Sequence, residues 1–148
     1  MIDQYGRTID YLRLSVTDLC NYRCQYCMPA EGVEKGPHGS VLSVEECGEI
    51  AQAAVRCGVR KIRITGGEPL VRKKDILKLA EKHNDVQFAI YTNSTLIDDA
   101  FCKEVVRLGN IAFMLSIEGT PETNDARRGS GHYAAVMHAM DLLKQYGI

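Results

Sequence analysis

Apolar residues along this chain recur with two different periods. Over Tyr11–Val16, Leu12, Leu14 and Val16 share one side while Tyr11, Arg13 and Ser15 share the other, the two-residue period of a strand. Arg60–Thr65 repeats the pattern, with Ile62 and Ile64 opposed to Lys61, Arg63 and Thr65. Val86–Thr92 and Ile111–Ile117 are short apolar runs that complete four expected strands. Between the strands the period lengthens to that of a helix. After a long loop reaching about Val41, Ser43-Val-Glu-Glu46 forms a Ser-x-x-Glu capping box and opens a helix to Cys57, with Gly58 as its stop. Asp75–His83 carries Ile76, Leu77, Leu79 and Ala80 at helical spacing. Asp98 caps a helix through Leu108, closed by Gly109. Thr120-Pro121-Glu122 starts another with proline at its first position. A last helix is expected from about Tyr133 to Tyr146, ended by Gly147.

Four βα units in series call for an α/β fold: a parallel sheet with right-handed crossovers and helices outside. Helices should cover one face of such a sheet. The polar side of the first two strands is then expected to line a concave interior that holds a polar ligand, rather than simply to face water. Four units also leave an exposed sheet edge. A second copy is one way to cover it; the favoured expectation is a truncated partial barrel, the front of a longer protein.

Composition narrows the function classes. A chain of 148 residues suits one domain, here 1–148, and 45% hydrophobic residues suffice for a packed core. A net charge of −1 argues against nucleic-acid or membrane binding by bulk electrostatics. No apolar run approaches the ~18 residues that span a bilayer. Residues 1–10 have no apolar signal core. With six cysteines that read as reduced, a cytoplasmic location is expected.

The chemistry begins at Cys20-x3-Cys24-x2-Cys27, directly after the first strand. Three thiolates can hold three irons of a four-iron, four-sulfur cluster and leave the fourth iron open to a ligand. A structural zinc is a weaker reading, since it takes four Cys or His ligands. His38, eleven residues past Cys27 in a Gly/Pro-rich loop, is a poor fourth. A disulfide plus a spare thiol suits a secreted protein and is weaker still. Cys47, Cys57 and Cys102 fall on expected helices and read as small core hydrophobes. His83, His132 and His138 read as surface residues, Arg127 and Arg128 as a solvated basic turn, and Arg72, Lys73 and Lys74 as a charged helix entry.

A second motif, Ile64-Thr-Gly-Gly-Glu-Pro69, closes the second strand. Ligands of open α/β sheets bind at the carboxyl ends of strands. Paired glycines let backbone approach a ligand there, and Pro69 fixes the chain as it turns away. Both motifs should meet at one rim.

Together the cysteine triplet and Gly-Gly-Glu-Pro resemble the radical S-adenosylmethionine superfamily, across nearly the whole chain, as the first four units of a six-unit partial (βα) barrel. Residues 5–18, 26–29 and 61–70 are similar to the GTP 3′,8-cyclases of molybdenum-cofactor biosynthesis, a resemblance that spans residues 1–73. From about Lys74 the chain resembles another radical S-adenosylmethionine branch. Tyr91-Thr-Asn-Ser94 stands where the cyclases carry Thr-Thr-Asn-Gly, and Ser116-Ile-Glu118 where they carry Ser-x-Asp.

The resemblance implies a lyase in which Cys20, Cys24 and Cys27 ligate a 4Fe-4S cluster and S-adenosylmethionine chelates its open iron. Reductive cleavage of that cofactor yields a 5′-deoxyadenosyl radical. Tyr26, Gly66, Gly67, Glu68 and Ser116 match cofactor-contacting positions, and Arg13 and Arg63 match positions that hold the nucleotide. A nucleotide-contacting Thr of the cyclases falls at Tyr91, so that contact is not carried over. The implied partners are GTP or another small-molecule substrate and an electron donor such as flavodoxin or ferredoxin. Full cyclases have two further units and a second cluster, so this chain alone is not expected to complete cyclisation. Two alternatives stand beside this reading: a radical enzyme of the other branch with a different substrate, and a non-catalytic iron–sulfur or zinc protein.

Overall fold

The computed structural model describes residues 1–32 and 41–148; His38 lies outside the described residues. Strands β1 (Tyr11–Ser15), β2 (Lys61–Thr65), β3 (Gln87–Thr92) and β4 (Ile111–Leu115) pair in parallel, in chain order. The register is flush: Leu14 lies opposite Ile64, Ile64 opposite Ile90, and Ile90 opposite Phe113. Strand alternation then sorts the side chains into two faces. Leu12, Ile62, Phe88 and Ile111 form one row and Leu14, Ile64, Ile90 and Phe113 the next. The opposite face carries Arg13, Arg63, Ala89 and Ala112, with Ser15, Thr65, Tyr91 and Met114 one tier nearer the carboxyl ends.

Helices α1 (Val44–Arg56), α2 (Lys73–Lys82), α3 (Asp99–Leu108), α4 (Pro121–Arg128) and α5 (His132–Gln145) complete the chain. The apolar strand rows join Ala51, Ile76, Leu79, Phe101, Val105, Ala139 and Leu143 in one core. Each large side chain fully buried there contributes about 1.5–3 kcal/mol. The polar face is left open: Tyr11 and Met114 are 44% and 47% exposed, and Arg13 is exposed as well. The expected concave interior is therefore an uncovered sheet face among the described residues. β4 forms one edge, beside an apolar groove of about 460 Å³ lined by Ile111, Phe113, Leu115, Met140 and Leu143.

Helix ends follow the local chemistry. The Ser43 hydroxyl accepts from the Glu46 N–H at 3.1 Å, and the Glu46 carboxylate accepts from the Ser43 N–H at 2.8 Å, the reciprocal capping box. Asp98 accepts from the Phe101 N–H at 2.8 Å and pairs with Lys73. Gly109 closes α3 with a φ of 72°, a conformation that costs glycine little. Asn110 then donates to the carbonyls of Ala80, His83 and Val86, tying the end of α2 to the start of β4.

Four expectations are corrected. The second helix starts at Lys73 rather than Asp75, because Pro69–Arg72 first winds a 3₁₀ turn capped by Glu68. Arg72 is not a solvated helix entry: it donates to the carbonyls of Val16 and Leu42, each at 2.7 Å, and to Asp75. His83 and His132 are buried, His132 against the Tyr22 ring and the Asn124 amide. Cys57 is exposed at the end of α1, while Cys47 and Cys102 are buried as expected.

Candidate functional site

Above the strands, the β1–β2 pairing does not stop where the strands do. The Val16 N–H donates to the Thr65 carbonyl at 3.0 Å, Gly67 to Thr17 at 2.8 Å, and Glu68 to Leu19 at 2.7 Å. A Cβ on Gly66 would overlap the Thr17 carbonyl, and one on Gly67 the Leu19 carbonyl. The glycine pair thus admits the backbone that leads into Cys20. The close approach made here is between two segments of the chain.

Glu68 is buried, at 1% exposure. One carboxylate oxygen accepts from the Leu70 N–H (2.9 Å) and the Thr92 hydroxyl (2.7 Å), and the other from the Asn93 N–H (2.7 Å). Burial pushes its pKa up despite these three donors. Its oxygens are engaged inside the rim. The end of β3 is wired in turn to the cysteine loop. Asn93 donates its amide to the Asn21 side-chain oxygen at 2.9 Å and reaches the Cys20 thiol at 4.0 Å. Asn21 donates to Thr95 at 2.9 Å.

Within the loop the Tyr22 N–H donates to the Cys20 sulfur at 3.4 Å. The Cys27 and Met28 N–H groups both donate to the Cys24 carbonyl, winding the turn that carries the last two thiols. All three cysteines are free; Cys24 is buried and Cys27 exposed. Burial raises the Cys24 thiol, Arg128 opposes that, and the neighbouring charges of Cys20 and Cys27 raise it further. Such a set of soft, reduced thiols with an N–H donor to sulfur fits an iron–sulfur cluster. Among the described residues no three Cys, His, Asp or Glu side chains are grouped to hold one metal ion.

The far wall comes from the end of β4 and from α4. The Gln25 N–H donates to the Arg127 carbonyl at 2.9 Å, and the Cys24 thiol lies 3.9 Å from the Arg128 carbonyl. Glu118 accepts from the Tyr26 hydroxyl at 2.9 Å and from Arg128 at 2.8 Å, and pairs with Arg127 at 3.4 Å. Both guanidinium groups stand over the Tyr26 ring, at 5.0 and 5.6 Å, within cation–π range. Burial and the bond to Glu118 push the Tyr26 phenol up to about 12. Arg128 and Tyr26 hold the Glu118 carboxyl below its usual range. Arg128, expected as part of a solvated turn, is 11% exposed and ion-paired. Beneath it His132 stacks edge-on to Tyr22 at 5.1 Å and shares a 3.0 Å hydrogen bond with the Asn124 side-chain amide.

The residues expected from sequence therefore separate into two tiers. Cys20, Cys24, Cys27, Tyr26, Gly66, Gly67, Glu68 and Ser116 all follow the carboxyl ends of strands, and the Ser116 N–H is held by the Thr92 carbonyl at 3.0 Å. Arg13 and Arg63 sit lower on the open face. Arg63 lies between the rings of Tyr11 (5.1 Å) and Tyr91 (4.5 Å). Neither arginine has an ion-pair partner among the described residues. Glu118, Arg128, Asn93 and Arg72 escaped sequence reasoning. Only Glu118 left a signal, as the residue replacing the Asp of the Ser-x-Asp pattern.

The model of the Radical SAM superfamily matches residues 14–148. The chain is 49% identical over 124 residues to a GTP 3′,8-cyclase of Desulforamulus reducens, covering 84% of this chain and 36% of that protein. It is 34% identical to a GTP 3′,8-cyclase of Petrotoga mobilis, covering all of this chain and 47% of that protein. The chain thus spans between a third and a half of the length of these curated relatives. Among solved structures, Streptococcus suis SuiB bound to its precursor peptide SuiA gives a TM-score of 0.76 at 20% identity, over 93% of this chain and 31% of that one. Native anSMEcpe with bound AdoMet gives 0.71 at 22% identity, over 93% and 41%. These two likenesses establish the fold.

Two outcomes follow from this geometry. Gly67→Ala must push the Leu19 backbone away, and should lower stability by about 1–3 kcal/mol. Gly48→Ala, in helix α1 with only ordinary contacts around its Cβ, should instead raise it by about 0.5–1 kcal/mol. Equal urea midpoints for the two variants would reject the close-approach role. His132 is held neutral: burial, then Arg128, lower its pKa from the ordinary 6.5. The unfolded chain takes up this proton at higher pH than the folded one. The stability it contributes is complete above about pH 6.5 and declines as pH falls below it. In urea titrations between about pH 5 and 7, His132→Gln should show a shallower decline than the native chain; matching slopes would refute the assignment.

Proposed function

The chain belongs to the radical SAM superfamily, and on that premise we propose that Cys20, Cys24 and Cys27 hold a 4Fe-4S cluster whose open iron takes S-adenosylmethionine. The observation that carries this reading is the three-thiol loop clamped from one side by the Gly66-Gly67 turn and from the other by the end of α4. The proposal takes residues 1–148 as the core domain of the enzyme. When bound, cluster and cofactor supply a 5′-deoxyadenosyl radical that removes a hydrogen atom from substrate.

The chain's own residues do the positioning. The Gly67 N–H is engaged by Thr17, so its carbonyl is the group offered to the cofactor's ammonium, with Gly66 shaping that turn. Ser116 offers a hydroxyl to the carboxylate or ribose. Tyr26 presents a ring fixed by Glu118 and two guanidinium groups. Glu68 acts from inside, holding the Asn93 backbone and the Gly-Gly turn in place. Arg13 and Arg63, unpaired among the described residues on an open face, suit the oxygens of a polyphosphate. The substrate proposed is GTP and the activity a lyase of the GTP 3′,8-cyclase type in molybdenum-cofactor biosynthesis. A flavodoxin or ferredoxin supplies the electron, the setting is cytoplasmic, and the β4 edge is the surface for pairing with another copy. Tyr91, stacked on Arg63 where the cyclases carry Thr, favours a second reading: a radical enzyme of another branch with a different substrate.

Anaerobic rebuilding with iron and sulfide should give about four iron per chain and a change in the paramagnetic resonance of the reduced cluster when S-adenosylmethionine is added. Cys24→Ser should abolish both, and one zinc per chain with no response to the nucleotide would reject the proposal. In calorimetry the native chain should bind GTP, and Arg63→Ala should weaken binding about tenfold or more, the scale of one lost hydrogen bond to a charged group. Unchanged GTP affinity in that variant would turn the substrate reading to the other branch.

A further inference from the structure

Glu118 is placed to do more than balance charge. Its backbone is fixed from α4, with its N–H donating to the Asn124 side-chain oxygen at 3.0 Å. Its carboxylate collects three groups from two separate segments: Tyr26 from the cysteine turn, and Arg127 and Arg128 from the end of α4. The same two segments are joined by the Gln25–Arg127 backbone bond and by the approach of the Cys24 thiol to the Arg128 carbonyl. Tyr22, from the same loop, packs 3.7 Å from where a Cβ on Gly129 would stand. Remove the carboxylate, and Arg128, 11% exposed, becomes a buried cation without a counter-charge among the described residues. Repulsion between Arg127 and Arg128 then acts where attraction did.

We propose that Glu118 is a positioning residue, a latch that holds the Cys24–Cys27 turn shut against the end of α4 through the Tyr26 hydroxyl. The turn carries two of the three thiols; apart from the single Gln25–Arg127 bond to α4, its backbone bonds run within itself, from Cys27 and Met28 back to Cys24. Unlatched, it swings as a unit and exposes Cys24, which is 8% exposed when closed. Local opening of this kind is a low-energy event confined to one segment. That the latch also retains iron rests on the cluster reading above; that it closes the turn does not.

Thiol alkylation of the reduced, metal-free chain, read site by site by mass spectrometry, tests the latch with its own internal standards. Cys57, exposed, reports reagent activity, and Cys102, fully buried, reports global unfolding. Glu118→Ala and Tyr26→Phe should each speed Cys24 alkylation about tenfold, the scale of one lost hydrogen bond to a charged group. Glu118→Gln, which still offers Tyr26 an acceptor, should fall between these and the native chain. The double variant should react no faster than Glu118→Ala alone, because both changes open one latch. Glu49→Gln on the exposed side of α1 should match the native chain. Native-like Cys24 protection in Glu118→Ala would overturn the proposal. So would opening of Cys102 in step with Cys24, or effects that multiply in the double variant. If the rebuilt native chain takes up no cluster, the cofactor reading fails while the alkylation result still judges the latch. If it does take one up, Glu118→Ala should release iron to a chelator about tenfold faster.

Discussion

Three backbone hydrogen bonds beyond the ends of β1 and β2 govern this molecule. Val16 to Thr65, Gly67 to Thr17 and Glu68 to Leu19 extend the sheet pairing into what would otherwise be two independent loops. A loop carrying three thiols would wander if tethered only at its ends. Here its first residues are part of the sheet, so Cys20 inherits the position of β1. The extension is possible because residues 66 and 67 have no side chains: any Cβ there would occupy the space of the Thr17 and Leu19 carbonyls. Backbone amides also cannot be left unpaired indoors without cost, and each bond answers one such donor.

Around that pairing the structure distributes buried charge with care. Glu68 is an acid inside the fold, tolerated because three donors from two segments close on it. It thereby fastens the second strand's exit to the third's. Arg72 does the converse, a cation directed at the carbonyls of Val16 and Leu42 and so joining the end of β1 to the entry of α1. Glu118 and Arg128 form the third such device at the fourth strand. Each strand's carboxyl end is therefore fastened by an ionisable side chain to a neighbouring segment. Buried polar and charged contacts of this kind add little net stability but fix geometry, since any other arrangement leaves a polar or charged group unpaired.

Much of this was readable in the chain. Alternation named the first two strands and their faces and short apolar runs named the other two, all to within a residue or two, and the caps at Ser43, Asp98 and Thr120 were visible because helix starts are local chemistry. The cysteine spacing and the Gly-Gly turn were visible for the same reason. What stayed hidden depends on packing between distant segments. His132 reads as a surface residue by its position at a helix start, yet it ends up beneath Arg128 against Tyr22. Arg128 lies more than a hundred positions from the Cys24 it touches. Ser94 adopts a left-handed φ of 72°, a conformation side-chain-bearing residues seldom take. Its neighbours impose it: the Ser94 N–H is captured by the Thr92 hydroxyl, itself bound to Glu68. No rule based on serine alone would find it.

The flush register has a metric consequence. Because the four strands start and stop within one residue of each other, the arginine row and the rim at the carboxyl ends run as parallel lines. Strands rise about 3.3 Å per residue, so the three steps from Arg63 to Gly66 separate those lines by about 10 Å. The sheet is thus a caliper. Under the proposed function, a molecule held by its anionic end at Arg13 and Arg63 brings an atom level with the rim only if it is about that long.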